Sequence, residues 1–112
     1  MESTSLSIID ILERVKNKES YFNEALTVVN DHVVRVSVMT EPYFWHLHPN
    51  SDETFLAMEG SLFIDLDDKT VELFPGQLFT IPRNVRHRTR PGGNRSVNLT
   101  FEHVDLQTQR LE

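Results

Sequence analysis

The spacing of apolar positions changes once along the chain. Over residues 5–17, Leu6, Ile9, Leu12 and Val15 recur at helical intervals and Ile8 and Ile11 widen the stripe, while Asp10, Glu13, Arg14 and Lys16 fall on the opposite side. This predicts a short amphipathic helix, with Ser5 or Ser3 as its cap. Asn17-Lys18-Glu19-Ser20 reads as a connector. From residue 26 onward the period is two. Val34, Val36 and Val38 share one face of a strand, and Arg35 and Ser37 the other. Similar runs cover 43–48, 53–59, 61–66, 70–73, 78–81, 85–90 and 96–102, with turn-forming groups such as Pro49-Asn50-Ser51-Asp52, Pro75-Gly76 and Pro91-Gly92-Gly93-Asn94 between them. Many short strands separated by turns predict an all-β sandwich or barrel. Closing the sheet also removes edges that would otherwise aggregate. The expected organisation is a helix and connector over residues 1–25, followed by one barrel domain over 26–112.

Parity along these strands suggests which residues line the interior. Phe44, Phe55, Ala57, Phe79, Ile81, Thr89, Val97, Leu99 and Phe101 are the candidates, most of them as plain core. The interior is therefore expected to be apolar, suited to a small substrate held chiefly by one strong centre. Tyr43, Trp45, Leu47, Leu56 and Met58 fall on the other faces. Together they form an apolar patch too large for a monomer, so a homodimer is expected.

Length and composition narrow the function. The 112 residues fit one domain with little core to spare. Eleven basic against 17 acidic residues give a net charge of −6, which argues against a nucleic-acid binder or a protein held electrostatically to anionic lipid. No apolar run approaches a membrane span, and Met1-Glu2-Ser3-Thr4-Ser5 does not open a secretory signal, so a cytoplasmic protein is expected. There is no cysteine. Thiolate metal sites, disulfides and a cysteine nucleophile are excluded, and any metal must take imidazole, carboxylate or backbone oxygen.

The five histidines then carry the chemistry. His46 and His48, two apart on a strand, point to one face. Glu53 opens the next strand across a turn, and His87 begins a later one. Three imidazoles and a carboxylate converging on one spot make a mixed nitrogen and oxygen site for a divalent first-row metal. The order is His46-x-His48, four residues, Glu53, six residues, Gly60, and later Gly76, five residues, Pro82, four residues, His87. This resembles the two motifs of the cupin superfamily, above all its small single-domain members, which often carry the label mannose-6-phosphate isomerase-like. The resemblance covers about residues 28–103, including Trp45-His46-Leu47-His48, Asp52-Glu53-Thr54-Phe55-Leu56 and Asn98-Leu99-Thr100-Phe101-Glu102. It implies a jelly-roll barrel, or double-stranded β-helix, with His46, His48, Glu53 and His87 as ligands. The chain departs from the pattern at Thr40, Asn84 and Pro91, where the family usually has glycine, glycine and asparagine. Asn84 can keep a left-handed turn.

Cupins include isomerases, dioxygenases, lyases, decarboxylases and binding proteins, so the fold selects no reaction. The site could hold Fe, Mn, Ni, Co or Zn and act as a Lewis acid on a sugar or carboxylate, as an isomerase or dioxygenase would. A non-catalytic, metal-dependent sensor of small molecules is the alternative. Phe44 and Phe55, close to ligands in sequence, are the residues expected to touch substrate. Arg83, on the turn before His87, could bind a substrate anion. No separate general base is evident, and His32 and His103 read as surface residues. Arg83, Arg86, Arg88, Arg90 and Arg95 form a basic run with no acid among them. It is either an anion or partner patch or a face that pairs with neighbouring acids such as Asp65 or Glu72.

Overall fold

The computed structural model describes residues 6–112, so the caps expected at Ser3 and Ser5 lie outside it. One short helix, α1 (Ile11–Val15), precedes ten strands: β1 (Phe22–Val29), β2 (His32–Met39), β3 (His46–Leu47), β4 (Glu53–Glu59), β5 (Leu62–Asp65), β6 (Thr70–Leu73), β7 (Leu78–Ile81), β8 (Arg88–Pro91), β9 (Ser96–His103) and β10 (Gln109–Arg110). All strand pairs are antiparallel. A five-stranded sheet in the order β1-β2-β9-β4-β7 lies against a three-stranded sheet in the order β6-β5-β8, and a two-stranded ribbon pairs β10 with β3. The architecture is a small jelly-roll barrel.

Its main core fills one end of the barrel. Met39, Phe55, Ala57 and Ile81 from the large sheet meet Leu62, Ile64 and Leu73 from the small one. A second apolar cluster lies on the outer face of the large sheet, where Leu26, Val36, Val38, Val97 and Leu99 pack under Val15, Ile9 and Ile11. Burial of both faces follows from the N-terminal segment roofing one of them.

The helix is shorter than its apolar stripe predicts. Asp10 caps it, its carboxylate accepting from the Glu13 N–H at 3.2 Å. Before that point Leu6 takes a φ of 59°, and Leu6 and Ile8 are fully exposed. Only Ile9, Ile11 and Val15 reach the sheet, so the first turn of the predicted stripe gains no burial to stabilise it. The end of the helix is latched by Arg95, which donates to the carbonyls of Val15 and Lys18 and pairs with Glu59. Strand β1 begins at Phe22, four residues before the alternation becomes legible.

The outward apolar patch is also smaller than its parity suggests. Leu56 and Met58 pack into the outer cluster, and Tyr43 packs against the main core. Trp45 is covered by the guanidinium groups of Arg86 and Arg88, 4.1 and 5.1 Å from its ring.

Candidate metal centre

His46 sits on β3, His48 follows it and Glu53 starts β4. His87 is held opposite His46 by a pair of backbone hydrogen bonds of 3.0 and 2.9 Å. The Pro82–Asn84 turn delivers His87 to this position. Asn84 takes a φ of 69°, the left-handed conformation expected of it, and donates its N–H to the His48 carbonyl at 2.9 Å. All four side chains are buried, and one ligand atom from each lies within 4.8 Å of the others.

The three imidazoles are held alike. Nδ1 of His46 donates to the Phe44 carbonyl at 2.8 Å, Nδ1 of His48 to the Gln107 carbonyl at 3.0 Å, and Nδ1 of His87 to the Val85 carbonyl at 2.9 Å. A carbonyl oxygen can only accept, so each proton sits on Nδ1 and each neutral ring aims its Nε2 lone pair inward. Glu53 Oε1 lies 3.2 Å from His48 Nε2 and 3.5 Å from His87 Nε2. These same three atoms are buried without a hydrogen-bond partner. Lone pairs of this kind, facing a carboxylate oxygen, make a donor set that can take a cation. The residues therefore fit a divalent metal bound by nitrogen and oxygen.

The electrostatics agree. Burial pushes His46 down to about 4, so it stays neutral and available as a ligand. Burial also lowers His48, but the adjacent Glu53 outweighs it and raises the ring overall. Burial works to raise Glu53, yet the adjacent His48 and His87 rings prevail and hold the carboxyl well below its usual range. Glu53 is thus anionic, as a metal ligand must be.

His46, His48 and Glu53 line a cavity of about 400 Å³. Phe55 lines it, with its ring 6.3 Å from the His87 ring. Phe44 does not. Its ring stacks on Tyr43 at 4.1 Å and lies under the Arg110 guanidinium at 4.6 Å, while its carbonyl holds His46. Arg83 is also outside the cavity. It borders a separate depression with His32, Asp52 and His103, and its N–H donates to Asp52 at 2.9 Å.

The expected apolar interior is corrected as well. Val97, Leu99 and Phe101 belong to the outer cluster, and the alternate residues of β9, Asn98, Thr100 and Glu102, face the cavity. Arg35 and Ser37 of β2 join them. Glu102, only 1% exposed, is the buried carboxylate that sequence reasoning did not find. Burial, aided by the nearby Glu53 charge, pushes it up to about 7. Val104, Leu106 and Thr108 complete the mouth, placed there by a C-terminal strap that pairs Arg110 with His46 and Gln109 with Leu47. His103 lines the rim at the end of β9, with Asp31 3.6 Å from its Nε2.

A small antiparallel barrel with three inward imidazoles and a carboxylate beside a polar cavity defines a class of jelly-roll domains with a His/Glu group able to hold a metal. Residues 27–101 match the family model described as "Cupin domain", and the chain belongs to the cupin family. It is 45% identical over 96 residues to the uncharacterized protein YdbB of Bacillus subtilis (strain 168), covering 85% of this chain and 84% of that one. Protein SchB of Streptomyces halstedii is 41% identical over 56 residues, which is 50% of this chain and 41% of SchB. Among solved structures, a cupin-2 domain containing protein from Shewanella frigidimarina superposes with a TM-score of 0.80 at 23% identity, covering 86% of this chain and 94% of that chain. That likeness speaks for the fold alone. Among the described residues, no helix is long and apolar enough to cross a membrane.

Proposed function

We propose that this cupin is a cytoplasmic metalloprotein that holds one divalent first-row ion through His46, His48, Glu53 and His87. It acts on a small polar metabolite, a sugar or a carboxylate, drawn into the adjoining cavity. The observation that carries this reading is the shared fixing of three Nδ1 protons by backbone carbonyls, which leaves three Nε2 atoms for a ligand, two of them, on His48 and His87, within 3.5 Å of the Glu53 carboxylate. The donor set accepts Fe, Mn, Ni, Co or Zn. When bound, such an ion supplies Lewis acidity toward a hydroxyl or carbonyl oxygen, or toward a water. The chain's own residues orient the ligand rings, supply one negative charge at Glu53, and present a polar wall to the metabolite.

The test is elemental analysis of the untagged protein beside the His46→Ala plus His87→Ala variant. About one metal per chain in the first and none in the second is the expected result. Equal metal in both sinks the reading. The loaded protein is then screened for sugar isomerisation and for oxygen consumption. Ligand binding without turnover in either assay would make it a metal-dependent binding protein instead. Self-association belongs to the same proposal, through the exposed Leu78 on β7, the edge strand of the large sheet, and Phe74 on the turn that leads into it. A sedimenting monomer at micromolar concentration would remove it.

A further inference from the structure

We infer that the occupant of the cavity is a small polyhydroxylated carboxylate, of the sugar-acid class, with its carboxylate on Arg35 and its hydroxyls on Asn98 and Glu102. This deepens the proposed function and rests on it, since His46, His48 and Glu53 form another part of the same cavity wall.

Two unpaired acceptors start the argument. Asn98 and Glu102 are each 1% exposed and line the cavity, yet Asn98 Oδ1 and Glu102 Oε1 have no hydrogen-bond partner. A buried polar atom left unpaired is costly, so such atoms mark a place where a donor is missing. Both residues come from one face of β9, with Thr100 between them and Ser37 opposite Asn98 on β2. The donors they await are therefore spaced along a line, as the hydroxyls of a sugar chain or ring are.

Arg35 supplies the second half. Among the described residues it is the one lysine or arginine lining the cavity. Its Nη1 donates to Asn23 at a long 3.3 Å, and its Nε is 3.9 Å from Glu102 Oε2, beyond hydrogen-bond reach. The guanidinium thus keeps donors to spare, and its planar fork suits a carboxylate. A neutral sugar would leave those donors unused. A plain aliphatic acid would leave the Asn98 and Glu102 acceptors unpaired. An amino acid fits less well, because an ammonium placed at Glu102 would sit beside the guanidinium and be repelled. The volume of about 400 Å³ lies toward the small end for ligand pockets and suits a six-carbon acid. Phe55 and Met39 give the carbon skeleton an apolar surface.

Calorimetric titration of the metal-loaded protein tests this directly. The probes are D-glucuronate, D-galacturonate and D-gluconate, against D-glucose, cyclohexanecarboxylate and glutamine. At least one hydroxylated acid is expected to bind about ten-fold or more tightly than all three comparison compounds. Arg35→Gln should erase the preference for that acid over glucose. Asn98→Ala should weaken that acid while leaving cyclohexanecarboxylate unchanged. If Arg35 were only the counter-ion of Glu102, Arg35→Gln would alter stability but not the acid-to-glucose ratio. Should Arg35→Gln not fold, the wild-type selectivity series and Asn98→Ala still decide. Glucose, cyclohexanecarboxylate or glutamine binding as tightly as the best acid overturns the inference. So does the absence of acid binding up to about 10 mM in protein that retains its metal. Protein that takes up no metal fails the proposed function first, so the two failures are distinguishable.

Discussion

The arginine run beside the last ligand can be tested through the one carboxylate that gathers it. Asp65 is 5% exposed and accepts from both Arg88 and Arg90, with Nε and Nη2 of Arg88 at 3.1 and 3.0 Å and the same atoms of Arg90 at 2.9 and 3.1 Å. The Thr70 hydroxyl donates to it at 2.7 Å. The Arg90 guanidinium, against the effect of burial and with help from Thr70 and Arg88, holds the carboxyl at about 2 rather than 3.8. At about 1.4 kcal/mol per pKa unit this difference corresponds to about 2.5 kcal/mol. Both arginines are about a third exposed, so solvent screening reduces it to about 1–2 kcal/mol. Asp65→Asn keeps the shape and removes the charge. It should lower the midpoint of thermal unfolding at pH 7 by about 4–8 °C. The folded carboxyl is depressed, so its contribution is fully present above the unfolded value near 4 and is lost as pH falls through about 2. Roughly half should remain at pH 3, and the gap between wild type and variant should narrow accordingly. Differential scanning calorimetry on both proteins at pH 7 and pH 3 reads this out. Equal midpoints at pH 7, or a gap as wide at pH 3 as at pH 7, would refute the assignment and return the arginines to the role of a free anion patch.

Two further outcomes follow from the geometry. Ending the chain after Asp105 removes the Gln107 carbonyl and Thr108 hydroxyl that meet Nδ1 of His48, so metal affinity should fall about 10–100-fold in a chelator-competition titration, and an unchanged affinity would show that the strap does not orient the ligand. Gly60→Ala places a Cβ 2.7 Å from the Arg95 carbonyl at a φ of +68°, and should cost about 2 kcal/mol in urea denaturation, whereas Gly93→Ala, with nothing within 4 Å, should cost less than about 0.5 kcal/mol.

The ligand residues were legible because their geometry is local in sequence. His46 and His48 share a strand face by parity alone, and the turns that bring in Glu53 and His87 are written as Pro49-Asn50-Ser51-Asp52 and Pro82-Arg83-Asn84. What holds those ligands was not legible. Nδ1 of His48 bonds Gln107, 59 residues later, in a strap whose strand β10 is two residues long and has no alternation to read. The helix was over-read for the converse reason. Leu6 and Ile8 continue an apolar stripe that the barrel does not extend far enough to cover.

The misplaced cavity wall has a more general cause. Alternation separates the two faces of a strand but does not say which is inside, and the usual inference puts the apolar face inward. Here the apolar face of β2 and β9 looks outward, because the N-terminal segment roofs it with Ile9, Ile11 and Val15. The opposite face is free to be polar without being solvent. The sequence does contain a sign of this in the N-terminal segment itself, whose apolar stripe needs an apolar sheet face to rest on. Five apolar residues on that face, Val34, Val36, Val38, Val97 and Leu99, match it. Once they are assigned outward, Arg35, Ser37, Asn98, Thr100 and Glu102 must turn inward together, beside the imidazoles. The N-terminal segment and the polar cavity are therefore one structural decision. A chain of this length can place a polar wall with a buried glutamate next to the His/Glu group only because a second apolar layer stabilises the other side of the same two strands.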